Sequence, residues 1–81
     1  MQKTHRQKMK RCLKICKGNK TDTALYLNII MRDTWGKLPP KMVTLGIVDN
    51  LVRGSTRGVE YYIGLAMDRM IRDDEMGVKQ G

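Results

Sequence analysis

Apolar residues recur along much of this chain at helical spacing. Met9, Cys12, Leu13 and Cys16 stand at i, i+3, i+4 and i+7, the face of a helix from about Thr4 to Lys17. Gly18 and Asn19 tolerate the left-handed backbone that would stop it. Thr21 or Asp22 can cap a second helix, Ala24 to about Thr34, because a side-chain oxygen there satisfies amides left free in a first turn. This segment holds Leu25, Tyr26, Leu27, Ile29, Ile30 and Met31 and is apolar all round, which predicts the central, most buried element. A strand competes, since several of these residues favour β structure, but length and cap decide for a helix.

Trp35 to Pro40 breaks the chain, with Pro40 suited to a first helical position where no amide hydrogen is needed. From Pro40 to about Val52 the stripe Val43, Ile47, Val48 and Leu51 has helical period again. Arg53 to Thr56 then forms a short turn. Ser55 or Thr56 caps a last helix through about Asp73, whose inner face is Val59, Tyr62, Ile63, Ala66, Met67 and Met70. Asp68 with Arg72, and Arg69 with Asp73, are spaced for ion pairs. The pattern predicts an all-α fold, a small bundle of three to four helices, with a helical domain over residues 21–75, a basic N-terminal arm or amphipathic helix over 1–20 before it, which docks on the body through its stripe or orders on a partner, and a flexible tail over 76–81.

A chain of 81 residues makes one domain with a thin core. It has no Phe, one Trp and three Tyr, so seven Met and the aliphatic residues must do the packing. Met fills gaps but specifies them weakly, which points to a homodimer whose second subunit completes the core. No run approaches the roughly 20 apolar residues of a membrane-spanning helix, so no membrane partner and a cytosolic or nuclear location are expected, cytoplasmic and nucleoid-associated if the partner is DNA. Cys12 and Cys16 read as small apolar residues kept reduced; with His5 they leave a zinc set one ligand short. With the single histidine in the basic segment and no Gly-rich phosphate loop, no enzyme, metal or cofactor is expected.

Charge changes the picture most. The first 20 residues carry eight Lys or Arg and no acid, while residues 21–81 carry eight of each sign. Such a segment suits a polyanion, since each phosphate neutralised releases a counterion. Lys3, Arg6, Lys10, Arg11, Lys14 and Lys17 are the candidate phosphate contacts. Lys outnumbers Arg six to two here, which favours grip over recognition and speaks against an RNA hairpin as target, although RNA stays open as a partner. The stripe of Met9, Cys12, Leu13 and Cys16 is narrow for membrane-surface binding. The structural alternative is a solvated face on a packed helix.

The helix pair around Arg53 to Ser55 carries the most specific signal. Ile47, Val48 and Leu51 supply the stripe of a first helix, Gly54 the turn, and Val59 with Ile63 the inward positions of a second. Ser55, Thr56, Arg57, Glu60 and Tyr61 are left facing outward at that helix's start. The stretch Ile47 to Ile63, a leucine, a turn, a Ser or Thr cap, an Arg, then Val followed four residues later by Ile, resembles helix-turn-helix and winged-helix DNA-binding domains at superfamily level. The resemblance implies that Arg57 reads guanine bidentately and that Lys37, Lys41 and Arg53 touch phosphates. It implies a sequence-specific regulator of double-stranded DNA, of a size that suits a phage or plasmid protein. Three alternatives remain: a plain αα-hairpin, a protein-interaction module such as an inhibitor or antirepressor, and an RNA-binding antiterminator-like protein.

Overall fold

Local capping chemistry sets where the first three helices begin and end. A computed structural model describes residues 4–36, 42–54 and 60–77 and forms four helices: α1 (His5–Ile15), α2 (Lys20–Trp35), α3 (Leu45–Arg53) and α4 (Glu60–Glu75). Thr4 opens α1 with a capping box, its hydroxyl accepting from the Gln7 amide at 3.2 Å while the Gln7 side chain accepts from the Thr4 amide at 2.9 Å. At the other end the Gly18 amide donates to the Leu13 carbonyl at 2.6 Å and the Lys17 amide to that of Lys14 at 3.0 Å. These two bonds form a Schellman stop in which Lys17 holds the left-handed position, at φ 58°.

The second helix starts earlier than the sequence pattern predicts. Asn19, expected to end α1, caps α2 by accepting from the Asp22 amide at 3.0 Å, so the predicted caps Thr21 and Asp22 lie inside the helix. The reason is spacing: with α1 closed at Lys17 and Gly18, Asn19 is the first side-chain acceptor placed to reach a free amide three residues on. Thr23 is fully buried and donates its hydroxyl proton to the Asn19 carbonyl at 2.9 Å.

The third helix starts later than predicted, at Leu45, with Thr44 as its cap. Pro40 lies outside the described residues, and Met42 to Thr44 are not helical. The cause is Asn28 of α2, whose side chain donates to the Val43 carbonyl and accepts from the Val43 amide, both at 2.9 Å. That clamp spends both backbone groups of Val43, and Val43 itself is buried.

The four helices close in a ring of order α1, α4, α2, α3, each packed on its two ring neighbours; α1 and α2 approach only slightly across it. Met9 and Cys12 of α1, Leu27, Ile30 and Met31 of α2, Val48 and Leu51 of α3, and Ile63, Ala66, Met67 and Met70 of α4 share one core. The basic N-terminal helix is thus a wall of that core. Met9, Met31, Met67 and Met70 are at most 2% exposed in the single chain, so no second subunit is needed to cover them.

α2 departs from the expectation of all-round burial, with Leu25 54% and Ile29 51% exposed. A ring of four short helices gives each helix neighbours on its inner side only, and these residues lie on the outer side.

Ion pairs tie the ring together: Lys8 to Asp68 at 2.9 Å and Arg11 to Glu75 at 3.3 Å between α1 and α4, Lys20 to Asp49 between α2 and α3, and Arg69 to Asp33 at 3.0 Å between α4 and α2. Of the two pairs predicted within α4, Arg69 and Asp73 meet at 3.8 Å, whereas Asp68 turns to Lys8.

Candidate nucleic-acid interface

At 100° per residue, Arg6, Lys10 and Lys14 fall within one quadrant of α1, whose centre is turned about 130° from that of the buried Met9, Cys12 and Cys16. Arg6, Lys10, Lys14 and Lys17 are exposed and form no ion pair among the described residues. Lys8 and Arg11, on the flank toward α4, are the α1 cations whose charge the body consumes. Helix period therefore sorts the cations into a structural set and a free set. At 1.5 Å per residue the free set, Arg6 to Lys17, runs about 16 Å, roughly the rise of five base pairs.

Each end of this stripe opens on a cleft. At the N-terminal end a cleft of about 550 Å³ is lined by Thr4, His5 and Arg6 of the α1 start, Leu51 and Gly54 of the α3 end, and Glu60 of the α4 start. Here the structure brings together two groups that are far apart in sequence, the basic segment and the helix pair around Gly54. His5 sits there because Gly64 of α4 lets it: a Cβ at position 64 would lie 2.8 Å from the His5 Nε2. At the C-terminal end Arg11, Lys14, Ile15, Lys17 and Asp74 line a cleft of about 520 Å³, in which three cations face one acid.

The other predicted site residues divide three ways. Arg53 is exposed at the end of α3, where its charge joins Lys20 in holding the Asp49 carboxyl below its ordinary range, the Lys20 hydrogen bond being the main cause. Glu60 is half-buried in the cleft and Tyr61 is exposed on the first turn of α4. Lys3, Lys37, Lys41, Ser55, Thr56 and Arg57 lie outside the described residues. Among those described, α3 and α4 make no close backbone approach; both pack on α1 and α2 instead. The direct bracing of one helix by the next that a helix-turn-helix uses is not among the described contacts.

Sequence reasoning missed the aromatic row at the start of α4. Trp35 meets Tyr62 edge-on at 5.8 Å, and Tyr62 meets Tyr61 at 5.3 Å. Only the tertiary packing of the α2 end on the α4 start brings Trp35 there. The thiols are held in their neutral form: burial, then the neighbouring Cys16, pushes Cys12 from 9.0 up to about 12, and burial raises Cys16 as well. Neither is suited to act as a nucleophile or an anionic ligand. Among the described residues no group of three or more His, Cys, Asp or Glu side chains is placed to hold a metal ion, and no helix is long and apolar enough to cross a membrane.

These features define a small all-α protein of four helices with one cationic outer face. The chain matches no protein-family model, no curated protein and no solved structure.

Proposed function

We propose that this protein binds double-stranded DNA, gripping the phosphate backbone with the outer face of α1. The observation that carries this is the division of charge: acids draw Lys8, Arg11 and Lys20 into ion pairs with the body, while Arg6, Lys10 and Lys14 along one side of α1, and Lys17 in the turn after it, form no ion pair among the described residues. A row of like charges on a folded helix destabilises it unless a counter-charge is supplied, and a polyphosphate supplies one. Lys17 adds support, because it occupies a left-handed position where glycine would avoid about 1 kcal/mol of strain. A cation is kept there at a cost to the fold. Sequence selection, which makes the protein a regulator, is assigned to Arg57 and its neighbours on the resemblance to helix-turn-helix domains.

The test is duplex binding as a function of salt. Wild-type affinity should fall by about two orders of magnitude or more between 50 and 200 mM salt, and the double substitution Lys10→Gln with Lys14→Gln should weaken all sequences alike and reduce the slope by about two. Arg57→Ala should cost about 1–3 kcal/mol on a preferred site and little on random duplex. Failure to bind duplex even at low salt would refute the proposal and favour an acidic protein as the partner of the same stripe.

A further inference from the structure

Among the described residues nothing packs on the outer face of α2, and its side chains are ordered in a way that names a partner. Asp22, Leu25, Ile29 and Arg32 lie within about 80° of one another on the helix, opposite the buried Thr23, Leu27 and Ile30. All four are exposed. Leu25 and Ile29 border a cleft of about 460 Å³ with Asn28, Arg32, Asp33 and Met42, the last itself 50% exposed. Neither Asp22 nor Arg32 forms an ion pair among the described residues, whereas the adjacent Asp33 is taken by Arg69.

The spacing is antisymmetric. Asp22 stands three residues before Leu25, and Arg32 three residues after Ile29, so the acid and the base lie at equal distances, about 7.5 Å along the axis, from the midpoint of the apolar pair. When two copies of this helix pack antiparallel about that midpoint, Leu25 of each meets Ile29 of the other, and Asp22 of each meets Arg32 of the other. A two-fold interface requires a surface complementary to itself, and this stripe is one. Parallel packing would instead set like charges together.

We propose that the chain forms a two-fold homodimer through antiparallel α2 helices, with Leu25 and Ile29 at its centre and an Asp22–Arg32 pair at each end. The motive is this outer face, since the core is already closed within one chain. The dimer does not depend on DNA binding, and its test contains no nucleic acid.

Sedimentation of the full chain should give twice the 9.3 kDa monomer mass at tens of micromolar. Asp22→Arg alone, or Arg32→Asp alone, should weaken the dimer about tenfold or more by placing like charges at both ends, and the two substitutions combined should restore it to within about threefold of wild type. Leu25→Asp should give a monomer with an unchanged helical signal and a cooperative thermal transition, because the side chain it alters is outside the core. A chain that is monomeric at 100 μM on the order of the highest concentration tested, or a double charge reversal no tighter than either single one, overturns the proposal.

Discussion

Cys12 shows how burial fixes what a side chain can do. It is 0% exposed, and its pKa rises from 9.0 to about 12, chiefly because the thiolate loses its hydration there. The folded state therefore holds the Cys12 proton more tightly than the unfolded chain. Its contribution to stability is complete below about pH 9 and is lost as pH rises toward 12, at up to about 1.4 kcal/mol per pH unit. Urea midpoints measured from pH 8 to 11 should fall above pH 9 in the wild type and fall less steeply in Cys12→Ala. The sequence pattern placed Cys12 on the inner face of its helix; how deeply it is buried depends on α3 and α4, which close over it from elsewhere in the chain.

At the scale of the element, α1 is where the sequence left two readings open, a helix docked through its apolar stripe or one ordered on a partner, and the tertiary structure takes the first. Its amphipathic period, its cations and its N-terminal boundary near Thr4 were legible, whereas the Thr4–Gln7 capping box that fixes this boundary was not read from the sequence. Charge alone suggests an appendage. The structure makes α1 a support of the ring, packed on α4 and α3 and contributing Met9, Cys12 and Cys16 to the core. Deleting residues 1–18 should therefore abolish cooperative unfolding followed by circular dichroism, rather than only weakening binding, and Met9→Ala should cost about 2–5 kcal/mol in chemical denaturation. A truncated chain that still melts cooperatively near the wild-type temperature would return α1 to the status of an arm. The misplaced starts of α2 and α3 have a common origin: several Thr, Asp and Asn residues compete as caps, and the choice is made by the Schellman stop before Asn19 and by the Asn28 clamp on Val43.

For the whole molecule, the excess of positive charge is less important than how the fold distributes it. Lys8 and Lys10 are chemically the same and two positions apart, yet Lys8 pairs with Asp68 and Lys10 forms no ion pair among the described residues. Lys8→Gln should lower stability by up to about 1 kcal/mol, and Lys10→Gln should leave it within about 0.5 kcal/mol. In duplex binding the order should reverse, with Lys10→Gln the more damaging. Equal losses of affinity from both would mean that only net charge matters to the partner. The sequence by itself determined that the chain is all helical, where the cations gather and the inward stripe of α1, because hydrophobic period and composition are local quantities; it did not settle the faces of α2, nor the place of Tyr62, expected on the inner face of α4 but 39% exposed. Only the tertiary structure decided the ring order, the exposed face of α2, the cleft that Arg6 shares with Gly54 and Glu60, and the division of cations into paired and free, because each depends on which helices become neighbours. That choice is made by contacts between residues tens of positions apart, and no local pattern encodes them singly.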